Sequence, residues 1–238
     1  MIEEHNDERP ERGPTVAGQV TVLEERVFGR TACRYFRVPD ADLILEEMSP
    51  EEWAKDERMP SWAEVWPSGL LLAKLLAASE SLRGVRMLEL GCGLGLPSLV
   101  AALLGAQVTA TDYIPEALAL LTVNAQLNGV RIRTMELDWQ QPGAIGRYDL
   151  VVAGDVMYER WQPRVIVEML ARTVLPDGYA LIVDPERATS KDFANDAVYR
   201  GFSVTRRAGS VPEFPRPLSV YEMAWNKNAP APLGERGR

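Results

Sequence analysis

The sequence predicts an α/β fold, a doubly wound sheet of about seven strands whose last strand is antiparallel. Three observations carry this reading. From Val85 onward, short continuously apolar segments alternate with helix-length ones, the pattern of parallel strands buried on both faces. The run Glu89-Leu90-Gly91-Cys92-Gly93-Leu94-Gly95 falls between the first of these strands and the next helix. The last two apolar segments are joined only by Ala208 to Pro217, with no crossover helix, so they should pair antiparallel.

The elements follow in order. Residues 1–16 are rich in charge and poor in hydrophobes and read as a disordered acidic tail. Residues 17–68 form an N-terminal extension. Within it Gln19–Val38 reads as two short strands, a hairpin, and Asp40–Met48 opens an irregular or helical stretch. Residues 69–226 make the main domain. Gly69–Leu82 carries a dense leucine stripe (Leu70, Leu71, Leu72, Leu75, Leu76) and predicts a helix with one buried face and Ser68 as its cap. Strands are expected at Val85–Leu90, Gln107–Thr111, Ile132–Leu137, Tyr148–Gly154 and Tyr179–Val183, then at Phe202–Arg206 and Leu218–Trp225. Helices are expected at Pro97–Leu104, Pro115–Asn128, Trp161–Val174 and Ser190–Arg200. Pro115 stands in the first turn of its helix and Gly129 just past the end, while Pro176-Asp177-Gly178 should stop the helix Trp161–Val174. Residues 227–238 are rich in Pro and Gly and read as a flexible tail.

Composition narrows the chemistry. With 238 residues, 46% of them hydrophobic and 25% charged, the chain has the make-up of an ordinary globular domain. The only histidine is His5, in the polar tail, so serine–histidine and cysteine–histidine chemistry and histidine-based metal sites are excluded from the globular body. Cys33 and Cys92 make neither a disulfide framework nor a zinc site. No metal is expected. The net charge of -8 argues against a nucleic-acid partner. The lack of a long apolar run argues against a membrane one, and with no apolar leader segment the expected location is cytoplasmic. With no evident dimerisation segment, a monomer is the default. Residues 38–64 hold nine acidic side chains, from Asp40 to Glu64, against Lys55 and Arg58. Such a surface suits a basic partner, or it is simply a solvated face.

The glycine-rich run carries the functional argument. A turn of this kind lets a ligand approach bare backbone, and the helix behind it offers unpaired N–H groups. Asp112 ends the second strand, 21 residues after Gly91, where a carboxylate can hydrogen-bond both hydroxyls of a ribose. Together these make a nucleoside site; the alternative is a tight turn with an accidental aspartate. A dinucleotide fingerprint would want a third glycine where this chain has Leu96. Glu89 would repel a pyrophosphate, and it suits the ammonium group of a methionine moiety, directly or through water.

This arrangement resembles motif I of the class I, seven-strand methyltransferases that use S-adenosyl-L-methionine (SAM), whose Rossmann-like sheet also ends in an antiparallel strand. Asp138-Trp139, after the third strand, stands where that family contacts adenine. Asp155-Val156-Met157-Tyr158, after the fourth, resembles the D-x-x-Y signature of a branch rich in protein-lysine methyltransferases, the branch that includes the electron transfer flavoprotein β-subunit lysine methyltransferase. Trp62-Ala63-Glu64-Val65-Trp66-Pro67-Ser68-Gly69 resembles its W-x-x-x-W-P-x-G segment. Asn124 and Asn128 sit where its members often carry asparagine. The likeness covers about Met59 to Trp225.

The resemblance implies SAM as cofactor. Gly91, Gly93 and Gly95 would meet its methionine and ribose parts, Glu89 its amino group, Asp112 its ribose, and Asp138 and Trp139 its adenine. Trp66 would lie on the cofactor side and Trp62 on the substrate side, which makes 17–68 the substrate-side extension. Asp155 and Tyr158 would be the catalytic pair, Asp155 orienting a target amine and helping its proton leave, and Asp155 would also belong to the cofactor-binding set. Asp184-Pro185-Glu186-Arg187 would add to the rim. Each has a plainer alternative: a core aromatic for Trp139, a helix cap for Asp155, anchors onto the sheet for the two tryptophans. The implied substrate is a protein with an accessible lysine, or a small amine. Two further readings stand beside it, a nicotinamide-dependent oxidoreductase and a SAM-binding protein without catalysis.

Overall fold

The computed structural model describes residues 11–40, 44 and 61–227. Most of the acidic segment between Asp40 and Glu64, with Met48 and Trp53, therefore lies outside the described residues.

Seven strands form the main sheet: β4 (Arg86–Leu90), β5 (Gln107–Asp112), β6 (Ile132–Glu136), β7 (Tyr148–Gly154), β8 (Val174–Asp184), β9 (Phe202–Val211) and β10 (Phe214–Trp225). Their order is β6-β5-β4-β7-β8-β10-β9. The strands from β6 to β8 run parallel, while β10 is antiparallel to both β8 and β9. The chain turns from β4 toward β5 on one side and β7 on the other. This order opens a crevice at the carboxyl ends of the central strands, where open α/β sheets bind ligands.

Alternate strand residues feed two cores. Met87, Val108, Leu150 and Val152 join the leucines of α1 (Pro67–Ala77), α2 (Leu96–Leu103) and α3 (Pro115–Leu127) on one face. Leu88, Val151, Ala153 and Ile182 meet α4 (Gln162–Thr173) and α5 (Phe193–Arg200) on the other. The period of two along each strand makes both faces apolar, so the strands read as continuous hydrophobic runs.

Several expectations need correction. Pro176-Asp177-Gly178 does turn the chain, but as an irregularity inside β8. Val174 pairs with Tyr148, the register then slips, and Tyr179 pairs with Leu150. The hairpin β9–β10 is longer than expected and turns at Pro212-Glu213. Pro215 and Pro217 fall where its register shifts between Phe214 and Leu218, the place a strand tolerates residues without N–H groups. Ser68 does not cap α1. Trp66 holds the N-cap position without a side-chain bond, and the Ser68 hydroxyl is buried without a partner.

A second sheet lies before the main one, with β1 (Arg12–Val16), β2 (Gln19–Phe28) and β3 (Thr31–Arg37) antiparallel in that order. β1 was expected to belong to the disordered tail. Its five residues bury only Val16, so it has no hydrophobic pattern of its own and depends on β2 as a template. Ala17 and Gly18 both adopt positive φ in the tight turn between them, the geometry that matches strand twist in two-residue hairpins.

Asn124 and Asn128 mount this sheet on the main domain. Asn124 Nδ2 donates to the Phe36 carbonyl and its Oδ1 accepts the Phe36 N–H, at 3.0 and 2.7 Å. Asn128 repeats the pattern at Arg34, at 2.5 and 3.1 Å. Residues four apart on a helix lie on one face, so α3 presents two amides as a surrogate strand and closes the outer edge of β3. At the far side Arg26 bonds Glu213 in the β9–β10 turn at 2.5 Å.

Candidate active site

The glycine turn links β4 to α2. Gly91 and Gly95 have φ of +64° and +75°, open to glycine at little cost. A Cβ on Gly95 would lie 2.5 Å from Leu121 Cδ1, and one on Gly91 would lie 3.0 Å from both the Trp139 ring and Val156. These glycines therefore let α3 and Trp139 close against the loop.

Asp112 is buried at the end of β5. Its Oδ2 accepts the Gly93 N–H at 2.9 Å and its Oδ1 the Ile114 N–H at 3.0 Å. Backbone N–H groups on both sides thus fix the carboxylate. Two oxygens held side by side at the crevice suit a vicinal diol.

Glu89 does something the spacing did not show. Its Oε2 accepts both the N–H (3.0 Å) and the hydroxyl of Ser98, in the first turn of α2. Gly95, at the N-cap, has no side chain to satisfy that donor, so Glu89 caps the helix from the neighbouring strand. Burial pushes its carboxyl up to about 8, with Asp112 adding to the rise and the Ser98 bonds opposing it. A carboxylate on this helix end also takes the place a pyrophosphate would need.

Trp139 lies against Gly91, and its indole N–H is buried without an acceptor. Asp138 is exposed, and its Oδ1 accepts the Gln140 N–H at 2.8 Å in the turn after β6. Glu89, the glycines, Asp112 and Trp139 therefore form one cluster, with Asp138 at its outer rim.

The tryptophan segment crosses the same crevice. The Trp62 backbone would lie 3.4 Å from a Cβ on Gly93, and the Ser68–Gly69 backbone 3.3 Å from one on Gly154, the last residue of β7. The segment thus spans the carboxyl ends of two adjacent strands. Trp66 donates its indole N–H to the Ser61 carbonyl at 2.6 Å, so its polar edge fixes the segment, and Trp62 packs on the larger core.

Asp155 follows β7 with φ of +60°, its N–H donating to the Val183 carbonyl at 3.0 Å. Its side chain is 7% exposed and pairs with Arg187, Nη2 to Oδ1 at 2.6 Å. Burial raises its pKa above the usual carboxylate value, the Arg187 charge and hydrogen bond pull it back, and Asp184 pushes it up again. Tyr158, three residues on, is 43% exposed, so the expected pair divides between a buried carboxylate and a surface phenol. Arg187, which the sequence suggests only as part of the rim, is the ion-pair partner of Asp155; its position after β8 was the one available signal. Among the described residues no group of acidic, cysteine or histidine side chains is arranged to hold a metal.

Residues 50–197 match the model of a protein family described as lysine methyltransferase, which takes in more than half of the chain. The chain belongs to the lysine methyltransferase family. The family resemblance drawn from the sequence is borne out. Among curated relatives, the electron transfer flavoprotein beta subunit lysine methyltransferase of Xenopus laevis is 34% identical over 146 residues, 58% of this chain and 57% of that protein. Protein N-lysine methyltransferase METTL21A of Danio rerio is 37% identical over 117 residues, 45% of this chain and 52% of that one. The chain thus spans little more than half the length of these relatives.

Solved structures confirm the fold of this family member as that of class I methyltransferases. A 16S rRNA methyltransferase of T. Thermophilus, in complex with AdoMet and guanosine, superimposes with a TM-score of 0.62 at 16% identity, over 90% of this chain and 52% of that one. A putative RNA methyltransferase from Pyrococcus horikoshii gives 0.57 at 17% identity, over 80% and 96%.

Proposed function

We propose that this chain is a SAM-dependent N-methyltransferase acting on a lysine side chain of a protein. The observation that carries the reading is the juxtaposition of two differently built carboxylates on one crevice, Asp112 held by backbone beside the glycine turn and Asp155 beyond β7. The first fits a ribose and the second an amine. The relatives' names, which specify protein lysines, support the same substrate class.

The residues fit the cofactor on their own chemistry. Asp112 would take the ribose hydroxyls, Glu89 would face the amino group, and Trp139 brings a buried N–H that an acceptor on the adenine ring would satisfy. When bound, SAM supplies an activated methyl group, so the protein needs to provide mainly alignment and electrostatics. Asp155 would orient the amine within the crevice, and the tryptophan segment would close one side of it. We further propose a cytoplasmic location, with which the free buried thiols of Cys33 and Cys92 are compatible.

The test is to incubate the protein with methyl-labelled SAM and an extract of cells that lack it. Label is expected in a discrete protein and on lysine after hydrolysis. Label confined to low-mass amines, or none in an extract where the protein binds SAM, contradicts the lysine reading.

A further inference from the structure

On the reading above, Asp155 is where the target amine docks, yet it already holds a cation. Arg187 donates from Nε to Oδ1 at 2.7 Å, and its Nη2 lies 2.6 Å from the same oxygen as an ion pair. Oδ2 accepts no hydrogen bond from any described residue.

The pair is built from both sides. Asp155 is locked by its left-handed backbone and its bond to β8. Arg187 is placed by a turn in which Glu186 has φ of +59° and the Arg187 N–H donates to Asp184 Oδ1 at 2.9 Å. Asp184 is fully buried, its Oδ1 also accepting the Ser190 hydroxyl at 2.7 Å. Arg187 and Asp184 are the charged groups that act on Asp155; Glu186 turns away to Arg206 and Ser219, at 2.7 and 2.9 Å.

We propose that Arg187 is a positioning residue that balances the charge of Asp155 through Oδ1, so that the site takes the target lysine as an uncharged amine donating to Oδ2. This rests on the reading of Asp155 as the amine site. A bare buried carboxylate would favour the ammonium form, whose lone pair is occupied by a proton and cannot attack. With the guanidinium in place, a second cation meets an already neutral pair and a nearby positive charge. The ammonium proton passes to water as the amine docks, and no other bond changes in this step. Arg187 thereby turns an anionic pocket, which would trap lysine in its inert form, into a hydrogen-bond acceptor that holds it in its reactive one.

The experiment compares Arg187→Gln and Arg187→Lys with the wild type. It uses SAM and the lysine protein found by labelling, in single turnovers at saturating substrate from pH 6 to 10. The wild-type rate should rise with pH to a plateau. In Arg187→Gln the midpoint should move up by about one pH unit, so the rate falls about tenfold at pH 7 and recovers at high pH. Arg187→Lys should keep the wild-type midpoint. SAM affinity, measured in parallel, should be alike in all three, while the thermal midpoint should fall in Arg187→Gln, which leaves the buried Asp155 without its ion-pair partner, and stay near the wild type in Arg187→Lys. A loss that is uniform across pH, or a midpoint that does not move, overturns the proposal while leaving the lysine reading intact. A wild type that binds SAM and labels no lysine overturns that reading itself.

Discussion

Asp112 and Asp155 end neighbouring parts of one sheet, yet they are held in opposite ways. Backbone N–H groups of Gly93 and Ile114 fix the first. A side chain 32 residues away in sequence fixes the second. Backbone donors come with the turn and the strand end, so they are rigid and local. A guanidinium on a rim loop adds a charge, and its distance from its partner makes it invisible to spacing. The cofactor half of the crevice is thus made by main-chain geometry, the amine half by paired charges.

The largest effect that would break this contrast is functional. Asp155→Asn should lower methyl transfer by roughly 10²- to 10⁴-fold while changing SAM affinity less than about threefold. Single-turnover rates and calorimetry on the same preparation check it. A matching loss of SAM affinity would mean the two halves are not separable.

Next comes the backbone half. Gly95→Ala puts a methyl 2.5 Å from Leu121 at a φ of +75°. Strain and overpacking together should cost about 2–4 kcal/mol, read from denaturant midpoints. A loss under about 0.5 kcal/mol would show that the turn has room to relax.

The smallest effect concerns Glu89. Its carboxyl titrates near 8 in the folded protein and near 4.5 ordinarily. Between those values the native state holds a proton that the unfolded chain has lost, so stability falls as pH rises across the window. Glu89→Gln cannot titrate and should flatten that fall. Thermal midpoints at pH 6 and pH 8 decide it; equal slopes in both proteins would place the proton elsewhere.

Sequence reading reached the parts of the molecule that are local. Tyr148–Gly154 forms β7 with the bounds its apolar run predicts, and the reversed strand follows from a connection without a helix. The glycine turn and Asp112 meet because a strand, a turn and a helix leave them few other places. What stayed hidden depends on distant partners. β1 forms because β2 offers it an edge, Glu89 caps a helix whose own cap is a glycine, and Asn124 and Asn128 bond a strand 88 and 94 residues away. Arg187 belongs with these. Its partner lies across the sheet's carboxyl edge, and nothing in the Asp184–Arg187 run names it.

The measurement that bears most directly on the central claim is a calorimetric titration of SAM into the wild type and into Asp112→Ala. The account predicts binding in the micromolar range for the wild type. In the variant it predicts a loss of about 100-fold or more, because both charged hydrogen bonds to the ribose disappear, each worth about 1.5–3 kcal/mol. A folded wild type that does not bind SAM, or a variant that binds as tightly, would contradict it.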